Sequence, residues 1–384
     1  MTPAPLHILI TDPHLSGGGQ VRYVSNLASQ LVQFGHKVVI GCRPGSVLVE
    51  SAQAAGCPAR DSFAFRGGLR PAAWRNDLQN FRGYIRLEKP DIIHVSGSQD
   101  HWAAALANNT LGRPVCILRT RHNTYNVANN FPNRILNRRW TDYQIVVCDT
   151  VRRDLARHPA FDPARLCTIH NGVDANLFTP SAETRAAARA EFGYEPSRLV
   201  LGIAARLVDA KGHVFLFRAA ALLKDKLPQL RILCFGQGVK EPQLRQLAAE
   251  LGISGIVQFG GFRNDMHRCT QAFDIGIQPS IDCDTSSFSL KEQMALEIPV
   301  IASDYGGLVE LVDDGVEGLI VPAGSVEPLA AAIASLAADA PRRTVMGKAG
   351  RARVIRDFTV EVFARRTVEA YSRALSIAQD RRRA

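Results

Sequence analysis

What this chain lacks narrows it first. No apolar run approaches the roughly 18 consecutive residues of a membrane-spanning helix, and nothing basic precedes the first apolar stretch in MTPAPLHILITD. Neither a transmembrane segment nor a secretory leader is therefore expected. Cys42, Cys57, Cys116, Cys148, Cys167, Cys234, Cys269 and Cys283 are scattered without a C-x-x-C pair, which argues against a zinc ribbon or a dithiol redox motif. They read as reduced, mostly buried thiols of a cytosolic protein, with Cys283 set apart in a polar loop. No RNP-like aromatic strand, zinc-finger spacing or helix-turn-helix pattern is present, so no nucleic-acid partner is expected. Short repeats are absent too. What remains is an ordinary globular composition, 46% hydrophobic and 21% charged, over 384 residues, enough for two domains.

The formal charge of +10 is concentrated rather than spread. Arg60, Arg66, Arg70, Arg75, Arg82 and Arg86 fall in one stretch, Arg134, Arg138, Arg139, Arg152, Arg153 and Arg157 in another, and Arg381, Arg382 and Arg383 near the end. Solvated faces are one reading. The other is contact with an anionic membrane surface or a phosphorylated glycolipid.

In chain order, residues 6–11 (LHILIT) read as a buried strand, followed by Ser16-Gly17-Gly18-Gly19 and a helix over residues 20–34 that stops at Gly35. A strand at 37–42 completes a βαβ unit. The dinucleotide fingerprint fails, because Arg22 stands where its third glycine belongs and no acid closes the second strand. Three glycines before a helix still permit close backbone approach to a phosphate or a sugar. Strands at 91–95, 115–119 and 144–148, with helices near 72–86 and 99–109, predict a doubly wound α/β domain. His94 ends one of these strands, and His122 opens the polar, Asn-rich segment 121–139 after another, where such folds place ligands. A strand-end histidine can also be purely structural.

A strand from Arg165 runs into Asn171-Gly172-Val173-Asp174, and the pattern restarts at Leu199. The expected division is residues 1–176, with a last helix at about 359–384 crossing back, and residues 177–358. Further strands are expected at 199–205, 230–235, 256–259, 273–277 and 299–302. Residues 279–310 then read as strand end, polar loop, helix from about Leu290, buried strand, Gly306-Gly307 turn and helix. Asp284 precedes the loop and Glu292 is expected in the first helical turn, where backbone N–H groups favour anions. Hydroxyl acceptors and phosphate donors would meet at one strand's carboxyl end. A ligand bearing both, such as a nucleotide-sugar, fits. The alternative is two solvated acids beside a helix cap.

These residues together resemble the GT-B retaining glycosyltransferases of family 4. Gly18-Gly19 with Gly35-His36-Lys37-Val38 is similar to that family's opening. Asn171-Gly172-Val173-Asp174 with Phe178 is similar to its domain boundary, and Arg206 with Lys211-Gly212 to its Arg-x4-Lys-Gly pair. Asp284 and Glu292 stand at its E-x7-E positions, followed by Pro299-Val300-Ile301-Ala302-Ser303, Gly306-Gly307 and Glu310. The resemblance spans nearly the whole chain. It implies two Rossmann-like domains facing a cleft and a metal-independent, retaining transfer from a nucleotide-diphosphate sugar to a saccharide or glycolipid, without a resident cofactor. Arg206 and Lys211 would neutralise the diphosphate. Ser287, Phe288 and Ser289 would add backbone donors, Glu292 would accept ribose hydroxyls and Asp284 the donor sugar's. Gly18 and Gly19 would admit the donor phosphate, and His122 would sit at the donor sugar. His94 and Asn171 are the acceptor-side candidates. The arginine-rich first half hints at lipopolysaccharide-core or other cell-surface glycan synthesis, at the inner face of a membrane.

Asp284 is one methylene shorter than the family's glutamate, and Ser286-Ser287 replaces an aromatic-glycine pair. Asp282-Cys283-Asp284 spells the D-x-D of the other large glycosyltransferase fold, and is read as coincidence. The alternatives are a nucleotide-sugar epimerase or phosphorylase on the same fold, or a catalytically silent partner subunit.

Overall fold

The computed structural model describes residues 4–68, 70–122 and 126–383. The chain packs as two units, Met1–Gly172 with Val360–Ala384, and Val173–Thr359. The division falls four residues ahead of the one expected from sequence. Val173 is the reason: its N–H donates to the Phe358 carbonyl (2.8 Å), it bridges to Thr359, and Phe178 follows it into the second unit's core.

The first unit carries a seven-stranded sheet: β1 (His7–Thr11), β2 (Lys37–Gly41), β3 (Ala59–Arg60), β4 (Ile92–Val95), β5 (Cys116–Arg121), β6 (Tyr143–Val146) and β7 (Leu166–Thr168). Its order is β3-β2-β1-β4-β5-β6-β7, and every pairing is parallel. Strands such as HILIT and KVVIG are buried at every position after the first because helices cover both faces of a parallel sheet. Helices Gly19–Gln33, Pro71–Glu88 and Ser98–Thr110 lie close to the expected positions. The last helix, Val360–Arg383, belongs to this unit and lays Phe363, Thr367, Ala370, Tyr371 and Ala374 against helix Gly19–Gln33 and strands β5 and β6.

The second unit holds β8 (Leu199–Ala204), β9 (Leu230–Phe235), β10 (Val257–Gly261), β11 (Ile275–Gln278), β12 (Val300–Ser303) and β13 (Gly318–Val321), in the order β10-β9-β8-β11-β12-β13. Side chains alternate between two cores: Leu199, Leu201 and Ile203 enter one, and Val200 the other. β11 begins two residues later than expected, because Phe273 is consumed in packing: a Cβ on Gly202 would meet its ring at 1.9 Å.

Both sheets reverse direction beside their first strand, between β1 and β4 and between β8 and β11. Ligands of open α/β sheets collect outside the strand ends at such switch points.

Candidate functional site

At the switch point of the second unit, three loops are stitched together. The N–H groups of Ile281 and Asp282 both donate to the Ala210 carbonyl (2.9 and 3.2 Å), and the Gly307 N–H donates to the Asp284 carbonyl (3.1 Å). Gly212 adopts φ 70°, and a Cβ there would lie 1.9 Å from the Pro279 oxygen. Glycine alone therefore lets the Lys211 loop close onto the strand end. Gly306, at φ 59°, faces the Asp284 carbonyl in the same way, at 2.3 Å.

This stitching brings Lys211 and Asp284 together. The ammonium donates to Asp284 Oδ2 (2.9 Å) and to the Cys283 carbonyl (3.3 Å), with both side chains largely buried. Asp284 Oδ2 also accepts from Gln278 Nε2 and Ser280 Oγ, each at 2.8 Å, while Oδ1 makes no hydrogen bond among the described residues. An ammonium carries three protons. Two are engaged here, which leaves one for a ligand. Arg206, exposed on the loop after β8, makes no side-chain hydrogen bond or ion pair among the described residues, and its charge is felt at Cys283. The two cations expected to meet a diphosphate thus stand on one loop, one anchored and one free to reach.

The helix beyond the loop is Phe288–Ala295, starting two residues ahead of Leu290. Ser287 caps it, its Oγ accepting from the Leu290 N–H (3.2 Å). Glu292, 4% exposed, consequently sits in the second turn and not the first. The Ser289 hydroxyl is occupied by Gln278 Oε1 (3.0 Å). The turn after Gly307 is a short 3-10 segment, Leu308–Glu310, where a helix was expected. Asp282 turns away from Asp284: its Oδ1 accepts from the Tyr305 hydroxyl (2.9 Å) and the Cys283 N–H (2.7 Å). The D-x-D carboxylates do not converge.

Sequence reading missed three members of this cluster. Gln278 and Ser280 orient Asp284. Lys291, fully buried, donates to Ser286 Oγ (3.0 Å) beneath the loop. No periodicity distinguishes them from core positions, and Lys291 stands among Ser289, Glu292 and Gln293 in a helix of mixed composition. His213, the residue after Gly212, is buried, and burial then Lys211 push its pKa down to about 4.

The first unit has its own site at the β1/β4 switch point, a cavity of ≈ 920 Å³. His14 and Gln20 border it from the glycine loop, residues 96–99 from the end of β4, and Arg119, Arg121 and His122 from β5. Gly18 adopts φ 156°, open to glycine, and Gly19 begins the first helix. His122 packs edge-on to Tyr23 (4.6 Å), and burial pushes its pKa down to about 3, so the ring is neutral at physiological pH.

The two acceptor-side candidates do not line this cavity. His94 is fully buried, with Nδ1 bonded to the Tyr371 hydroxyl (2.8 Å) and Nε2 to Thr120 Oγ1 (2.7 Å). It is a core residue. Asn171 is buried at the end of the unit, beside Gly172, whose carbonyl accepts from Asn26. The basic stretches read as a surface are partly committed elsewhere. Arg60 lies over Tyr84, Arg82 bonds Thr110, Arg381 bonds Asp142 and Arg382 the Pro114 carbonyl.

Two parallel-sheet units of this kind define the GT-B architecture, and solved structures agree on the fold. A glycosyltransferase from Rickettsia africae superposes with a TM-score of 0.88 at 23% identity, covering 97% of this chain and 99% of that one. The Anabaena protein HepE, solved in complex with UDP, gives 0.83 at 20% identity, covering 96% and 100%. Residues 17–177 match the model described as Glycosyltransferase Family 4, and residues 184–353 match Glycosyl transferases group 1. The chain belongs to this family of glycosyltransferases. A D-inositol 3-phosphate glycosyltransferase of Mycobacterium sp. (strain KMS) is 36% identical over 232 residues, 57% of this chain and 49% of that one. The chain thus spans about half the length of the curated relatives it matches. Among the described residues, no helix is long and apolar enough to cross a membrane, and no group of three or more His, Cys, Asp and Glu side chains could hold a metal ion.

Proposed function

We propose that this protein transfers a glycosyl group from a nucleotide-diphosphate sugar to a hydroxyl of a saccharide or glycolipid acceptor, with retention of configuration. The Lys211–Asp284 pair beside the exposed Arg206 carries this reading. In the transition state negative charge grows on the departing diphosphate. The third proton of the anchored Lys211 meets that charge with little reorganisation, which is where electrostatic catalysis is largest, and the exposed Arg206 closes onto it as a second cation. The capped start of helix Phe288–Ala295 adds the favourable end of its dipole. Asp284 offers Oδ1 to the donor sugar, and Glu292 accepts from the ribose. His122, neutral, serves the sugar as a hydrogen-bonding group and not as a cation. With cations already supplied by the chain, transfer needs no metal and no resident cofactor. Synthesis of a cell-surface glycan such as lipopolysaccharide, on the cytoplasmic side of a membrane, is the setting this chemistry suits.

Thermal melting with a panel of nucleoside diphosphates in EDTA tests the donor site. A ligand at a hundred times its Kd adds about 2.7 kcal/mol, a visible shift. We expect one base to protect, turnover to survive EDTA, and product NMR to show the donor's anomeric configuration. No protection by any of them, or turnover that needs added metal, counts against the reading. Donor converted without acceptor would indicate an epimerase instead.

A further inference from the structure

The cavity of the first unit has a charge imbalance that donor chemistry does not use. Arg43, Arg66, Arg70, Arg119 and Arg121 line it, and no carboxylate among the described residues does. Arg66 and Arg70 are exposed and could be ordinary solvated residues. Arg119 and Arg121 cannot, because each is only 9% exposed.

Their partners are uncharged. One Arg119 terminal nitrogen donates to His101 Nδ1 (2.8 Å) and the other to Ser98 Oγ (3.2 Å), and its Nε, buried, has no partner. The Thr141 hydroxyl gives its single proton to the Leu136 carbonyl (2.7 Å), so it accepts from His101 Nε2 (2.7 Å). His101 is thereby fixed as the tautomer whose Nδ1 lone pair faces Arg119, and burial holds its pKa well below the usual value. Arg121 donates to Gln144 Oε1 (2.9 Å) and Asn137 Oδ1 (2.8 Å), with its guanidinium over the Phe161 ring (4.6 Å). Asn137 comes from the π-helical segment Ile135–Trp140, a distortion frequent at functional sites.

The acids of the neighbouring strand ends are Asp100 and Asp12, both outside the lining. Asp100, whose charge favours the protonated Arg119, accepts at Oδ2 from Thr11 Oγ1 and from the Ser96 and Gly97 N–H groups. Its buried Oδ1 has no hydrogen-bond partner among the described residues, and burial raises the pKa of the carboxyl. No carboxylate acts on Arg121 in this way. Asp12 accepts from His14 and Gln20. Two buried guanidinium groups whose hydrogen-bond partners are neutral favour an anionic ligand beside them, since a buried charge wants an opposite one. The rim is built too. Phe65 is held at φ 40°, a costly conformation for a bulky residue, by Asp77 accepting from the Ala64 and Phe65 N–H groups (2.6 and 3.0 Å). That fixes the backbone immediately before Arg66. Trp102, also in the lining, offers an indole for a sugar ring.

We propose that the acceptor is anionic: a saccharide bearing a phosphate or carboxylate, which Arg119 and Arg121 hold in this cavity with the three rim arginines. The inference rests on the glycosyltransferase reading for the word acceptor, but the anion site stands by itself.

The test uses the full chain with inorganic phosphate, a hexose 6-phosphate, a hexuronate and the neutral hexose, following melting and tryptophan fluorescence. Lys211→Ala, with its donor site disabled, separates the two sites. Phosphate and the sugar phosphate should protect wild type and Lys211→Ala alike, with the neutral hexose at least about tenfold weaker. Arg119→Gln should weaken the anions about tenfold or more. Because that buried change can unfold the unit, the exposed pair Arg66→Ala/Arg70→Ala provides a second reading, again with weaker anion binding and an unchanged nucleoside diphosphate shift. Preference for the hexuronate would make carboxylate the group and support the proposal. Equal protection by charged and neutral sugars, or no anion-dependent protection at all, overturns it. Anion protection without any nucleoside diphosphate shift would remove the donor reading and leave the anion site standing.

Discussion

Lys211→Ala is expected to lower turnover by about 10²–10³-fold, the usual loss when one preorganised charge facing a leaving group is removed. It should also abolish the melting shift with nucleoside diphosphate. The variant carries a second effect that has to be separated. Asp284 keeps Gln278 and Ser280 as donors but loses the ammonium it is paired with in a largely buried site. Breaking a buried pair from one side costs about 3 kcal/mol. Removing both charges, in Lys211→Ala/Asp284→Asn, should return most of that stability while turnover stays low. A double variant that regains activity along with stability would mean the pair is scaffolding and not machinery. Near wild-type turnover in Lys211→Ala would sink the role outright.

The first unit should lose stability steeply in mild acid. Burial, and then His122, push the His94 pKa down to about 3, against an ordinary 6.5. Between those values the unfolded chain binds a proton that the folded one refuses. Stability from this group is therefore complete above about pH 6.5 and falls as pH drops, by about 1.4 kcal/mol per unit. His122 lies close enough to be coupled and adds to the slope. All three tryptophans, Trp74, Trp102 and Trp140, lie in the first unit, so their fluorescence reports its unfolding alone. Urea midpoints from pH 7.5 to 5 should fall, and His94→Gln should flatten the fall by about one proton's worth. An unchanged slope in that variant would show that His94 does not refuse the proton.

Much of the fold was legible because parallel strands announce themselves as short apolar runs with helical spacing between them. The second unit's candidate site stood out for a different reason: Arg206, Lys211 and Asp284 sit at fixed separations on loops that the strand ends dictate, and Glu292 on the helix that follows. Two kinds of residue escaped. Arg119 and Arg121 are two apart in CILRTR, so they share one face of β5, but a strand expected to end at Arg119 hid that alternation. His94 was read as a ligand because its partner is far away in sequence. Tyr371 arrives 277 residues later, and no local pattern could supply it. The start of helix Phe288–Ala295 was missed because Ser287 looks like loop until its hydroxyl is seen capping Leu290.

That late arrival of Tyr371 has a bearing on how the protein is made. The chain leaves the ribosome N-terminus first, so the seven strands of the first sheet emerge before any of the second unit. Yet the helix that packs against Tyr23 and His94, Val360–Arg383, follows the second unit in the chain. The half synthesised first is thus the half completed last, and it must wait, with that flank bare, while all of Val173–Thr359 is translated. A premature stop between codons 360 and 383 would therefore injure the first unit and spare the second.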